Sequence, residues 1–231
     1  MRIGIITAMS SEQQQLVNLL SNPCEHAEGP FHYIEGGIGA NTIILMQSGI
    51  GKVNAAAGTV ELIRNFQPDC VISTGVAGGI DSCLDVMDVV VSQSTVYHDV
   101  WCGEGNEYGQ VQGLPATFKG NETLLTTALS LNTATKIHGG LICTGDKFIT
   151  DRSELDVIKK NFPEGLAVDM ESGAIAQTCY LYHTPFISFR IISDTPGAEN
   201  HMEQYQNFWG EMASRSFHVT ETFLKALPTQ L

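Results

Sequence analysis

Four carboxylates carry the first clue to what this chain can do. Asp169 and Glu171 flank Met170 in the segment Val168-Asp169-Met170-Glu171-Ser172, which follows NFPEGLA and precedes the small residues Gly173 and Ala174. Asp194 ends the apolar run PFISFRIIS. Burying an unpaired charge is expensive, so acids set among apolar runs need a partner or a task. Glu12 lies in TAMSSEQ, just after the apolar run Arg2–Ala8. A glutamate in the first turn of a helix is either a surface residue favoured by the helix dipole, worth ~0.3–1 kcal/mol, or a base held ionised at a sheet edge. Carboxyls in different environments hold different protonation states, which equips one site with both a base and an acid.

The elements that would position these acids follow from the pattern of apolar residues. Arg2–Ala8, Cys70–Thr74, Val86–Ser92, His138–Cys143 and Pro185–Ser193 read as strands. His32–Glu35 and Asn41–Ser48 read as a hairpin across Gly-Gly-Ile-Gly. Helical spacing marks Glu12–Leu20, with Ser10 or Ser11 as its cap, and also Val53–Phe66, Asn121–Leu131 and Arg152–Phe162. VDMES opens a further small-residue helix within Ala167–Tyr182, and Met202–Leu227 closes the chain. Strands alternating with helices, several of them apolar throughout, predict an α/β fold whose mostly parallel sheet is covered on both faces. Ligands in such sheets bind beyond the carboxyl ends of strands. Thr74–Gly79, Thr144–Ile149 and Ser193–Thr195 fall at such ends.

Three glycine-bearing segments add detail. SGIGKVNAA, Ser48 to Ala56, is a strand-to-helix turn, and Val53 after Lys52 breaks the G-x-x-x-x-G-K-[ST] spacing of a phosphate loop. STGVAGG, Ser73 to Gly79, lacks G-x-G-x-x-G and is either a loop needing positive φ angles or a binding loop. In Thr144-Gly145-Asp146-Lys147-Phe148-Ile149, Phe148 is either a core aromatic or a ring that stacks on a planar ligand, and Asp146 caps a turn.

Composition narrows the partners. A net charge of −13 with only 12 Lys and Arg argues against nucleic acid and against docking on anionic lipid. No apolar run is long enough to span a bilayer, and MRIGIITAM reads as a first strand, so a cytoplasmic protein is expected. The six cysteines are scattered without C-x-x-C, which predicts reduced thiols and no metal site. No linker or repeat interrupts residues 1–231, so one domain is expected.

AMSSE, SGIGKVNAA, TGVAGG, Tyr97-His98-Asp99, GDKFI, VDMESGAIAQ and ISDT occur in this order over essentially the whole chain. Together they resemble the 5′-methylthioadenosine/S-adenosylhomocysteine nucleosidases of the purine nucleoside phosphorylase and nucleosidase superfamily. The resemblance implies a single three-layer α/β/α domain with a mixed, barrel-like central sheet flanked by helices, no cofactor, and a homodimer. It implies hydrolysis of an adenine nucleoside's N-glycosidic bond, as in methionine salvage. Glu12 is then similar to the base that activates water, Glu171 to the ribose ligand, and Asp194 to the acid that protonates adenine N7. Phe148 and Ile149 correspond to adenine contacts, Met170 to the floor of the ribose site, and Val76, Ala77 and Gly78 to the segment beside the sugar. Many relatives carry serine where Val76 stands. Met9, Ile50 and Ser193 are expected to line the site, with Asp169 as a supporting acid. Tyr205, Phe208 or Met202 would close the 5′ end from the last helix, and Leu114 and Pro115 would reach it from a partner subunit.

Water rather than phosphate is the expected nucleophile. The chain has five arginines, none in the loop after the first strand, and Glu12 would repel phosphate. The nearest rival reading is an aminodeoxyfutalosine hydrolase of menaquinone synthesis. A phosphate-dependent phosphorylase and a non-catalytic nucleoside-binding protein are more distant.

Overall fold

The first strand, β1 (Arg2–Thr7), is apolar on both faces because both are covered. This holds in a computed structural model that describes residues 1–196 and 198–231, with all their side chains except Glu28 and 211–216. The short helix α1 (Ser10–Val17) follows, then β2 (Ser21–Glu28), β3 (Phe31–Ile38) and β4 (Asn41–Gln47). Next come α2 (Lys52–Phe66), β5 (Cys70–Gly79), β6 (Val89–Tyr97) and the two-residue β7 (Phe118–Lys119). The chain continues through α3 (Glu122–Leu129), β8 (Ile137–Thr144), α4 (Arg152–Asn161), β9 (Gly165–Asp169), α5 (Ser172–Leu181) and β10 (Phe186–Asp194). It ends in α6 (His201–Asn207), a π-helical turn over Phe208–Met212, and α7 (Ala213–Ala226).

The sheet runs β10-β6-β8-β9-β5-β1-β4-β3-β2, and an additional β10–β5 pairing closes its first five strands into a barrel. β1 pairs in parallel with β4 and β5, and β10 with β5, whereas β10–β6, β5–β9, β3–β4 and β2–β3 are antiparallel. The mostly parallel sheet predicted by the apolar pattern is therefore replaced by the mixed, barrel-like sheet that the resemblance implies. Helices cover both faces. On β4, Ile43 and Leu45 join the cluster that contains Leu16 of α1 and Phe217 and Phe223 of α7, while Ile44 and Met46 join the one built on Leu62 of α2 and Ile175 of α5. This alternation is the period-two rule of a strand buried on both sides.

Two predicted elements change. The VDMES segment does not open a helix at Asp169: Leu166 to Asp169 belong to β9, which pairs with β8 and β5, and α5 starts at Ser172. Val76 to Gly79 are strand, not loop, and extend β5 beside β10 and β9. Gly78 is needed there for close packing, because a Cβ would sit 2.6 Å from Pro196.

Candidate active site

Six strand ends and two helices converge on a cavity of about 640 Å³, its open mouth included. Its walls come from Ala8, Met9 and Glu12 after β1, Ile50 before α2, and Val76, Ala77 and Gly78 on β5. Lys147, Phe148 and Ile149 follow β8, Val168 to Glu171 end β9, Ser193, Asp194 and Pro196 end β10, and Tyr205 enters from α6. Of the residues expected at the site, all line it except Leu114 and Pro115, expected to serve a partner's pocket, and Met202 and Phe208, offered beside Tyr205 for the 5′ end. Leu114 is partly buried against the cluster of Tyr97, Phe118 and Ile175 in its own chain. Met202, half-exposed, and Phe208, buried in the core, do not line the cavity. Ala8, Lys147, Val168 and Pro196 are lining residues that sequence reasoning missed. They are ordinary apolar or surface residue types placed only by the neighbours they follow.

Glu12 is 1% exposed. Its Oε2 accepts the amides of Ala8 at 2.9 Å and Met9 at 3.0 Å, and Oε1 accepts the Val76 amide at 3.0 Å. The expected serine cap is unused: Met9 is the N-cap, and the carboxylate at the third helical position reaches back to the loop. Three amides aimed at one point form an anion cradle, and a side chain of the protein already fills it. Burial raises the Glu12 pKa, while Arg190 and the three amides oppose that rise. Gly75 lies between Glu12 and Arg190, where a Cβ would strike the carboxylate and the guanidinium together.

Arg190 is the residue that organises this end. Read from sequence it is one of five arginines without a role. Folded, it is 1% exposed in a strand whose every residue is buried. Its Nη2 lies 3.0 Å from Asp169 Oδ2 and 3.6 Å from Glu171 Oε2, and donates to Ser73 Oγ at 2.8 Å. Its Nε donates to the hydroxyls of Ser172 and Ser188. A lone cation inside FISFRIIS was a readable signal, since a buried charge must be paired. Asp169 is the structural acid of the group. It accepts the Thr144 hydroxyl at 2.6 Å and both the amide and the hydroxyl of Ser172 at the start of α5. Glu171 Oε1 accepts the Gly51 amide at 2.9 Å. Burial pushes Glu171 up to about 7, helped by Asp169 and Glu12 and opposed by Arg190.

Asp194 stands at the other end. The β10–β5 register slips between Ile192 and Asp194. A bulge of this kind re-aims side chains, and here consecutive Ser193 and Asp194 both reach the cavity. Ser193 donates its hydroxyl to Asp194 Oδ1 at 2.7 Å, while buried Oδ2 has no hydrogen-bond partner among the described residues. Burial raises its pKa against the pull of Ser193 and His201. Phe148, 45% exposed, stands edge-on to Tyr205 with ring centres 5.6 Å apart. A buried carboxyl with a raised pKa, sharing one cavity with an exposed aromatic ring and a buried carboxylate cluster, suits a planar heterocycle attached to a sugar. Among the described residues, no group of three or more His, Cys, Asp and Glu could hold a metal ion.

The family model described as the phosphorylase superfamily matches residues 2–225. A 5′-methylthioadenosine/S-adenosylhomocysteine nucleosidase of Chromohalobacter salexigens is 41% identical over 234 aligned positions, covering 99% of this chain and 98% of its own. The solved S-adenosylhomocysteine nucleosidase of Streptococcus pyogenes, in complex with 5-methylthiotubericidin, superposes with a TM-score of 0.92 at 37% identity, covering 99% of this chain and 98% of that one. The nucleosidase of Colwellia psychrerythraea, in complex with adenine, does so with a TM-score of 0.92 at 36% identity, covering 100% and 97%.

Proposed function

The chain belongs to the phosphorylase superfamily, among its 5′-methylthioadenosine/S-adenosylhomocysteine nucleosidases, and we propose that it hydrolyses the N-glycosidic bond of these two nucleosides to adenine and the thioribose product. Breaking a bond between ribose and purine builds positive charge on the sugar and negative charge on the base. Only groups that meet those charges as they develop lower the barrier. Asp194 Oδ2 supplies a proton to adenine N7. Glu171 holds ribose hydroxyls and, with Glu12 behind it, favours the cationic sugar. Glu12 takes a proton from the attacking water. Phe148 and the Ile149 backbone hold the base, Met170 floors the ribose, and Met9, Ile50 and Tyr205 border the 5′ group.

The observation that carries this reading is the filled amide cradle at Glu12. Phosphate would need those amides and a free cation. The carboxylate already occupies the amides, and Arg190 is spent on Asp169 and Glu171. Water, uncharged and small, is the nucleophile that fits.

Residues 1–231 act as one domain in this reading, in the cytoplasm and within methionine salvage. The working form is a homodimer in which Leu114 and Pro115 complete the partner's 5′ pocket. Exposed Ile50 at the mouth, Val53 at 80% exposure on α2, and Trp101 at 57% support such a contact. No helix among the described residues is long and apolar enough to cross a membrane. Adenine release from both nucleosides in phosphate-free buffer is the expected result, from a species with twice the chain mass by light scattering. Turnover that requires phosphate would overturn hydrolysis, and full activity in a monomer would overturn the shared pocket.

A further inference from the structure

Tyr97-His98-Asp99 has no part in the chemistry above, yet it sits where three site segments meet. Asp99 takes the Lys52 ammonium on both oxygens, at 2.8 and 2.9 Å. Its Oδ2 also accepts the Asp146 amide at 2.9 Å. Asp146 Oδ1 in turn accepts the Lys52 amide at 2.7 Å. The three residues thus form a closed ring that joins the end of β6, the start of α2 and the loop after β8. Beneath it, buried His98 donates its amide to the Thr144 carbonyl at 2.9 Å, and its imidazole fills the space that a Cβ on Gly145 would need. The Lys52 ammonium lies 5.3 Å from the centre of the Tyr97 ring.

The ring reaches the site in two directions. The amide preceding that of Lys52 belongs to Gly51 and is the one that Glu171 accepts. Two residues beyond Asp146 stands Phe148, on the wall of the cavity. Consecutive amides at one helix start therefore hold the sugar-side carboxylate and the loop that carries the base-side ring. We infer that Lys52 and Asp99 are positioning residues whose ion pair fixes the distance between Glu171 and Phe148. This rests on the reading of Glu171 as ribose ligand and Phe148 as adenine contact. The Lys52 and Asp99 side chains are 23% and 30% exposed, and partly exposed ion pairs add little stability. Misplacing positioned groups by about 1 Å costs a site as much as ~10²-fold.

The test uses the full-length protein carrying Lys52→Met, Asp99→Ala or Lys52→Arg. Lys52→Met keeps the backbone amide and removes only the ammonium. Amide hydrogen exchange is followed at Lys52 and at 146–149, alongside Tm, KM for methylthioadenosine and Kd for adenine. Lys52→Met and Asp99→Ala should speed exchange at both segments and raise KM and Kd together, by roughly tenfold, at nearly unchanged Tm. Lys52→Arg, which restores the pair, should recover most of this. Unchanged exchange and unchanged KM in Lys52→Met would overturn the inference, as would losses that follow Tm alone. Absence of adenine release in the parent protein would instead overturn the functional reading, and the exchange data would still decide the ring.

Discussion

The two ends of the cavity treat carboxyl groups in opposite ways. At the end proposed to hold the sugar, Glu12, Asp169 and Glu171 gather around Arg190, and amides, hydroxyls or the guanidinium meet their oxygens. At the end proposed to hold the base, Asp194 has one hydroxyl on Oδ1 and no hydrogen-bond partner on Oδ2 among the described residues. Burial raises the pKa of both Glu12 and Asp194. The difference lies in what opposes it. Glu12 has a buried cation and three amides favouring the charged form, whereas Asp194 has a serine hydroxyl and a histidine. Burial alone does not assign acid and base; the number of donors kept for the charged form does.

The largest test separates the two ends by chemistry. Asp194→Asn keeps the shape but carries no acidic proton, and Glu12→Gln keeps the shape but cannot take one. Each should lower kcat on methylthioadenosine by roughly 10²–10⁴-fold. A 5-methylthioribosyl O-glycoside whose leaving group departs as a stable anion, such as 4-nitrophenolate, needs no proton. On it Asp194→Asn should regain most of its loss while Glu12→Gln should not. Equal rescue of both variants, or of neither, would break the division into an acid end and a base end.

That division was readable in parts. Glu12, Glu171 and Asp194 were legible as candidates, and all three line the cavity, because acids at the ends of apolar runs are rare and because their order and spacing resemble one family. Arg190 was legible only as a charge in need of a partner, because one arginine in an apolar strand does not say which partner it has. Its partners come from β9, β5 and α5, which only the closed barrel brings together. The bulge at Ser193 was equally hidden, since it is a mismatch between two strands and not a property of either. The parallel sheet expected from apolar runs failed for a related reason: β9 and β10 are buried on both faces whichever way their neighbours run. STGVAGG showed its glycines, but whether they turn the chain or let Pro196 approach depends on residues more than a hundred positions away.

A smaller effect should appear in stability against pH. Glu171 rises from 4.5 to about 7 in the folded protein, so the folded state binds its proton more tightly than the unfolded state does. Its contribution is fully present below pH 4.5 and is lost as pH climbs through about 7. Glu12 and Asp194 are shifted in the same direction. The Tm of the ligand-free protein should therefore fall across this window, and Glu171→Gln should flatten part of the fall. A variant with the parent's full slope would show that Arg190 neutralises Glu171 more completely than burial disfavours its charge, which would widen the contrast between the ends.

The mildest test concerns the base end alone. Phe148 is half-exposed, and its neighbours are the rings of Tyr205 at 5.6 Å and His201 at 6.4 Å between centres. Little of the core depends on it, so Phe148→Ala should leave Tm almost unchanged. A stacked base loses ~1–3 kcal/mol when its aromatic platform is removed, roughly 5- to 150-fold in affinity. In the proposed reading the ring touches adenine before and after the bond breaks, so the loss belongs to ground state and transition state alike and falls on KM, with kcat nearly unchanged. The Kd of free adenine should rise by the same factor. If kcat falls instead while KM holds, Phe148 acts on the departing base and not on the bound nucleoside. The base end would then discriminate the transition state through two groups, Phe148 and Asp194, where the comparison above gives it only one.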